Sequence, residues 1–251
     1  MIFRLLAAMA LAGPLLLLAA PADAQWGAEG SASKAGFAFP KDGPVRILVF
    51  RPDVKVGEQS TGGMNEPNAD WTADARRHIA AALDAAQVAR ANEIKPMPEM
   101  EGADGALLAD YRALFRAVTN AVVQHKLFAG NRLPTKKVDF NWTLGAGVRR
   151  LGEIGGGDYG LFLHTNDSYG SAGRKAAQVV GLLFGAYIPS GVHIGYAGLV
   201  DLKTGELVWI NADVAMGGDV REAAGATKRV AQLLEDFPGR EGAVATKAVG
   251  K

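Results

Sequence analysis

The amino-acid sequence predicts an α/β fold, in which helices cover a mixed β-sheet of about four to five strands. Apolar runs at residues 45–51 and 159–164 are typical of buried strands. Segments between and after them carry apolar residues at helical spacing. Residues 192–202 and 206–213 flank Lys203-Thr204-Gly205, which is a pattern typical of a β-hairpin. Strands alternating with helices, followed by a hairpin and a last helix, indicate a mixed sheet.

The first half of the chain follows this pattern in order. The strand at residues 45–51 ends at Pro52, and the glycine-rich stretch that follows, residues 53–68, is predicted to be a loop. Asp70 is a suitable N-cap for a helix that runs to about Arg90. Residues 93–97 form a short strand, which two prolines place at a sheet edge. Residues 105–127 carry the clearest amphipathic helix pattern of the sequence.

The second half begins with a short helix at residues 143–154 and a triple glycine, followed by the central strand. Residues 172–187 then form an almost wholly apolar segment that Pro189 ends. This segment is too short to cross a bilayer, so it is predicted to be a buried core helix, and an interface helix is the alternative. The hairpin follows, and residues 220–237 form the closing helix, which Pro238-Gly239 ends.

The two ends of the chain predict export and flexibility. Residues 1–24 carry a cation at Arg4, an apolar stretch and an Ala-Asp-Ala cleavage site, which are the features of a secretory signal peptide. Residues 25–44 are predicted to be a flexible leader, residues 45–238 a single α/β domain, and residues 239–251 a flexible tail. A cleaved signal predicts a periplasmic or secreted protein that has no transmembrane span in its mature form.

Composition excludes several function classes. The formal net charge is +1, so no overall field attracts nucleic acid, and we expect no nucleic-acid partner. The chain has no cysteine, which excludes thiolate metal sites, iron–sulfur clusters, cysteine nucleophiles and a lipidated cysteine. No cofactor is expected.

Ser168 lies in a polar stretch between the central strand and the apolar helix, the position of a hydrolase nucleophile elbow. Asn166, however, replaces the first glycine of that motif, and His193 is the only later histidine. The sequence therefore assigns no catalytic residue and favours a protein that is not an enzyme. A serine hydrolase that uses Ser168 or Ser171 is kept as an alternative.

The same stretch predicts an anion or nucleotide site. Glycines beside a helix N-terminus leave backbone N–H groups free, and two adjacent cations add positive charge. The candidate residues are Ser168, Gly170, Ser171, Gly173, Arg174 and Lys175. A structural pairing of the cations with nearby acidic residues is the competing interpretation. His164 and His193, on adjacent strands, are weak candidates for a metal site because no carboxylate cluster accompanies them.

Three segments carry a resemblance to a known fold. These are VRILVF near the start, DYGLFLHT in the centre and GLVDLKTGELVW before the last helix. Residues 158–163 match a "D-x-hydrophobic strand" pattern, and residues 201–206 match a "D-x-x-T-G-E" hairpin. The chain thus resembles the α/β envelope fold of the TolB amino-terminal domain, the curli-assembly lipoprotein and the penicillin-binding-protein activator lipoproteins. It is also similar to uncharacterised exported proteins of proteobacteria.

This resemblance implies assembly, scaffolding or activation of an envelope partner, and it covers roughly residues 45–237. Combined with the export signal, it predicts a non-enzymatic periplasmic accessory protein with an envelope protein as its partner. An anion- or nucleotide-binding module at residues 166–175 is the alternative.

Overall fold

The computed structural model describes residues 30–88, 93–127, 131–136, 139–189 and 191–239. Within these ranges eight strands form one mixed sheet. The strands are β1 (Gly30–Ser33), β2 (Arg46–Val49), β3 (Asp53–Gln59), β4 (Asn65–Pro67), β5 (Glu93–Pro96), β6 (Tyr159–Gly170), β7 (Gly191–Asp201) and β8 (Leu207–Asp213). The helices are α1 (Ala69–Val88), α2 (Gly102–Val122), α3 (Arg149–Gly155), α4 (Ala172–Leu183) and α5 (Ala223–Leu233). The predicted signal peptide, the start of the leader and residues 240–251 lie outside the described residues.

The α/β class is confirmed, but the prediction of four to five strands is wrong. Two of the additional strands, β3 and β4, occupy the segment at residues 53–68, for which the sequence predicts a loop. Val54 and Val56 alternate with Lys55 there and bury their side chains, so the local pattern is that of a strand despite the nearby glycines.

Strand β6 is the longest of the described strands and organises the sheet. Its first residues pair in parallel with β2, and the stretch from His164 to Gly170 pairs in parallel with β3. Along its other edge it pairs antiparallel with β7 from Tyr159 to Tyr169. Residues 166–170 are therefore strand, and the prediction that residues 166–175 form a loop between the central strand and the next helix is wrong.

Helices cover both faces of the sheet. On one face Leu161 and Leu163 pack with Ile79 of α1 and Val230 of α5. The opposite face is lined by Leu48, Phe50, Phe162, Phe115 of α2 and Leu151 of α3, among others. Because successive strand residues point to opposite faces, β6 contributes to both cores. The result is three layers, with the sheet in the middle.

The segment predicted to be a leader joins the sheet from Gly30 onward. Strand β1 pairs antiparallel with β8, and Phe39 is only 4% exposed. Its ring packs against those of Phe37 and Tyr159 in T-shaped, edge-to-face contacts. Composition alone predicts flexibility here, and the prediction is wrong for these residues because two aromatic side chains anchor them to the core.

The predicted hairpin is confirmed as β7 and β8. Asp201 Oδ1 accepts hydrogen bonds from the backbone N–H groups of Lys203 and Thr204, at 2.8 and 3.0 Å. Gly205 has a φ of 80°, and a Cβ at this position would overlap the carbonyl group of Gly145. Glycine is therefore required here by both conformation and space.

The apolar segment at residues 172–187 is helical as far as Leu183, but the prediction that it is buried is wrong. Arg174 is the only buried side chain of α4. Among the helices of the described ranges, none is long and apolar enough to cross a membrane.

Candidate functional site

The predicted anion-site residues occupy the end of β6 and the first turn of α4. Ser168 is buried, and its Oγ accepts a hydrogen bond from the N–H of Val192 at 3.1 Å. Ser171 is the N-cap of α4 and accepts from the N–H of Arg174 at 3.2 Å. Arg174 is buried, and its Nε donates to the carbonyl oxygen of Pro189 at 2.9 Å.

The remaining residues of that set are Gly170, Gly173 and Lys175. Gly170 ends β6, whereas Gly173 and Lys175 are exposed in the first turn of α4. The structure thus brings the whole set to one corner of the sheet. The serine that caps α4 already satisfies one of the free N–H groups on which the prediction depends.

Neither serine makes a hydrogen bond with a histidine within the described residues. Ser168 lies opposite Val192 in the β6–β7 register, whereas His193 lies opposite Asp167. Since neighbouring strand residues face opposite sides, Ser168 and His193 point to opposite faces of the sheet. The arrangement lacks the nucleophile–base contact that the serine hydrolase alternative requires.

The two histidines also point to opposite faces. His164 Nδ1 lies 3.1 Å from Asp53 Oδ2, and His193 Nδ1 lies 2.8 Å from Asp167 Oδ1. Three positions separate His164 from Asp167 along β6, so each imidazole has its own carboxylate on its own side. Within the described residues no group of three potential metal-ligating side chains forms.

Asp167 is the centre of a buried ion-pair network that the sequence pattern does not indicate. Both Asp167 and Arg229 have side chains that are 0% exposed, and they form two hydrogen bonds of 2.8 and 2.9 Å. Thr165 Oγ1 also donates to Asp167 at 2.7 Å. Burial opposes ionisation, but the hydrogen bonds from His193 and Arg229 and the charge of Arg229 hold the pKa of the Asp167 carboxyl below its usual value.

A cation–aromatic stack extends this network to the surface. The guanidinium carbon of Arg221 lies 3.8 Å from the ring centroid of Tyr169 and 4.5 Å from that of Trp71. Asp219 holds the guanidinium from the side through hydrogen bonds as short as 2.6 Å. The Tyr169 hydroxyl accepts from the N–H of Val220 at 3.0 Å. The stack therefore fixes α1 and the approach to α5 against the distal half of β6.

A second polar cluster lies on the opposite face, where α2 crosses the start of β3. Arg116 Nη1 donates to Asp53 Oδ2 at 2.7 Å, beside the bond from His164. Hydrogen bonding from His164, together with the charges of His164 and Arg116, lowers the pKa of Asp53 well below its usual range despite partial burial.

The same cluster contains two further cations. Arg51 and the half-buried Arg112 line one narrow cleft with Arg116, His164 and Asp53. Burial, followed by the charges of Arg51 and Arg76, lowers the pKa of Arg112, while Asp53 and Glu99 act in the opposite direction. The Arg112 guanidinium makes no hydrogen bond with any residue of the described ranges. The cleft is therefore an electropositive site with unused donors.

The most unusual surface is the end of α4. Nine large apolar side chains are exposed in the described residues, and six of them lie between positions 179 and 187. We call these six the α4 tip: Val179, Val180, Leu182, Leu183, Phe184 and Tyr187, which are 53–84% exposed. Monomeric proteins rarely display apolar side chains in such a contiguous group, and groups of this kind mark interaction sites.

The α4 tip is held in place by polar contacts at its base. Gln178 Nε2 donates to the carbonyl oxygen of Ile188 at 2.8 Å, and Arg174 binds Pro189 from the same side. Gly185 reverses the chain with a φ of 72°, and the N–H of Ala186 returns to the carbonyl oxygen of Gly181 at 2.8 Å. These hydrogen bonds tie the helix to the segment that follows it, so the tip has a fixed conformation before any partner binds.

No protein-family model and no curated protein sequence matches the chain. Among solved structures, the chain is similar to the PelC dodecamer of Paraburkholderia phytofirmans, at 12% identity and a TM-score of 0.39, over 85% of this chain and 99% of that chain. A methionine variant of the same PelC dodecamer gives 11% identity and a TM-score of 0.37, over 84% and 99%. Likeness at this level supports no conclusion about family or function. The predicted relationship to the TolB-type envelope fold stays a prediction.

Proposed function

We propose that this chain is a non-enzymatic accessory protein of the bacterial cell envelope, located in the periplasm, that acts by attaching to another envelope component. The single observation that carries the proposal is the exposed α4 tip. The predicted export signal supports the location, and the predicted envelope protein partner belongs to the same proposal.

The energetics of the α4 tip favour attachment. Burying one large apolar side chain contributes about 1.5–3 kcal/mol. With six such side chains exposed, the isolated protein forgoes stabilisation on the order of 10 kcal/mol. A partner that covered the tip would recover much of this stabilisation. Because the conformation of the tip is already fixed, little conformational entropy would be lost on binding.

The polar groups where β6 leads into α4 support attachment over chemistry. Ser168 and Ser171 are engaged with backbone N–H groups, and His193 and Asp167 are engaged with each other. These contacts fix the end of β6, the strand that leads into α4. Side chains that are engaged in this way support α4 rigidly and are not free to take part in a reaction.

The test is site-specific photocrosslinking in cells. A crosslinking amino acid at Leu183 should capture an envelope component, whereas the same group at Arg77, an exposed position on α1, should not. Equal crosslinking from both positions, or none from Leu183, would contradict the proposal.

The second candidate function is binding of a small anion. The observation that favours it is the cleft formed by Arg51, Arg112 and Arg116, where one guanidinium has unused donors. The cleft holds only about one water molecule, so an oxyanion would lie at its mouth, within reach of Arg51 and Arg112. This site differs from the one predicted at Ser168–Lys175, whose serines cap or bridge backbone groups.

Thermal unfolding with phosphate or sulfate, compared with chloride at equal ionic strength, tests both locations. Stabilisation that disappears in Arg112→Ala and persists in Lys175→Ala assigns the anion to the cleft. The reverse pattern assigns it to the first turn of α4. No stabilisation by either anion would remove this candidate.

A further inference from the structure

We infer that the α4 tip inserts into the surface of a lipid bilayer that contains anionic lipid. The inference rests on the proposed function and names the component to which the protein attaches. Three features of the tip lead to it: the shape of its apolar surface, the charge of the chain segment that contains it, and its dimensions.

The apolar surface is wider than a helix–protein contact requires. With about 100° of rotation per residue, Val179, Val180, Leu182 and Leu183 cover roughly 160° of the helix circumference. Phe184 and Tyr187 continue the surface around the end of the helix, and both are 84% exposed. A helix that packs on one protein surface needs an apolar stripe only slightly wider than about 100°. Hydrocarbon can cover the side and the end of the helix together.

The chain segment that contains the tip carries charge of one sign. No aspartate or glutamate occurs between Asp167 and Asp201, a stretch that contains Arg174, Lys175 and His193. Lys175 is exposed and forms no ion pair with a residue of the described ranges. A cation beside an apolar tip, with no acidic side chain in the same segment, complements the negative surface of an anionic membrane.

The dimensions match one leaflet. Lys175 precedes Val179 by four residues, which places it about 6 Å further back along the helix axis. The headgroup layer of a leaflet is about 5–7 Å thick, so Lys175 can stay among the phosphates while the tip lies in the acyl region. The whole of α4 has 12 residues, or roughly 18 Å, which is too short to cross. Tyr187 has the amphipathic character that favours the membrane interface.

Vesicle co-flotation tests the inference. Purified protein is mixed with phosphatidylcholine vesicles, with or without phosphatidylglycerol, and centrifuged through a density gradient. Wild-type protein should float with the anionic vesicles and largely remain behind with the neutral ones. The double variant Leu183→Ser/Phe184→Ser should lose roughly a hundredfold or more in vesicle affinity. Lys175→Ala should lose roughly fivefold on anionic vesicles and little on neutral ones.

Leu114→Ser is the matched control, because Leu114 is also an exposed apolar residue but belongs to α2 and not to the α4 tip. It should bind anionic vesicles as wild type does. Circular dichroism and a thermal melt of each variant establish that it is folded, so that a loss of binding reports on the tip.

The outcomes separate this inference from the proposed function. Absence of wild-type flotation, together with a protein crosslinked at Leu183 in cells, would overturn the lipid inference and leave the attachment proposal standing. Absence of both would overturn both. If wild-type protein self-associates in sedimentation without vesicles and the double variant does not, a second copy covers the tip and the lipid inference is wrong.

Discussion

Replacement of Arg229 should be among the most destabilising substitutions in this protein. The Arg229 guanidinium makes two hydrogen bonds to the Asp167 carboxylate, one of 2.6 Å to Thr165, and one each to the carbonyl oxygens of Gly217 and Gly218. Arg229→Met keeps the apolar volume but leaves a buried carboxylate without its cation. Breaking one partner of a buried pair costs about 3–5 kcal/mol.

The assay is urea unfolding followed by tryptophan fluorescence, since Trp209 is fully buried and reports on the core. Arg77→Met, which breaks the exposed ion pair with Asp74, is the matched control and should lose less than about 1 kcal/mol. Adding Asp167→Leu to Arg229→Met removes the orphaned charge, so the double variant should be more stable than the sum of the two single losses predicts, by about 2–3 kcal/mol. A loss below about 1 kcal/mol for Arg229→Met would refute the reasoning.

Acid, turn and surface substitutions give three further predictions. Asp53 and Asp167 have pKa values that are lower in the folded than in the unfolded state. The stability that they contribute is therefore present above about pH 4 and is lost as the pH falls further. The urea concentration at the unfolding midpoint should drop in acid, and it should drop less steeply in Asp53→Asn. Gly205→Ala should lower the melting temperature far more than Gly43→Ala, because both glycines have positive φ but only a Cβ at position 205 would meet backbone atoms. Similar losses in the two variants would count against the close approach of Gly205 to Gly145. Leu183→Ser should change the free energy of unfolding by less than about 0.5 kcal/mol, whereas Leu199→Ser, at a fully buried position, should cost several kcal/mol; a large loss at Leu183 would mean that the tip is part of the core.

The strands with continuous β-branched or aromatic runs could be predicted from sequence because their signal is local. Strand β2, the first half of β6 and the β7–β8 hairpin are of this kind. The second half of β6 could not, because Asn166, Asp167 and Ser168 are residues that favour turns. They are strand because β3 and β7 pair with the two edges of this stretch, and the buried Asp167 forms an ion pair with Arg229, which lies 62 residues further along the chain. No window of neighbouring residues contains that information.

The exposure of α4 could not be predicted for a different reason. An apolar helix sequence indicates that the helix avoids water, but it does not say whether core, partner or lipid replaces the water. Two features of the sequence accompany the exposed helix but do not by themselves predict it: no acidic residue lies between Asp167 and Asp201, and two cations stand at the helix start. The Arg51–Arg112–Arg116 cleft was not predictable in the same way, because Arg51 and the other two cations come from distant parts of the chain.

The most direct test of the attachment surface uses the absence of cysteine in the chain. A single cysteine introduced as Leu183→Cys can carry an environment-sensitive fluorophore without any competing thiol, and Arg77→Cys carries the same label as a reference. On addition of anionic vesicles, the label at position 183 should shift to shorter wavelength and brighten as it leaves water, while the label at position 77 stays unchanged. If the label at position 183 does not respond, or if both labels respond equally, the α4 tip is not the surface by which this protein binds a membrane.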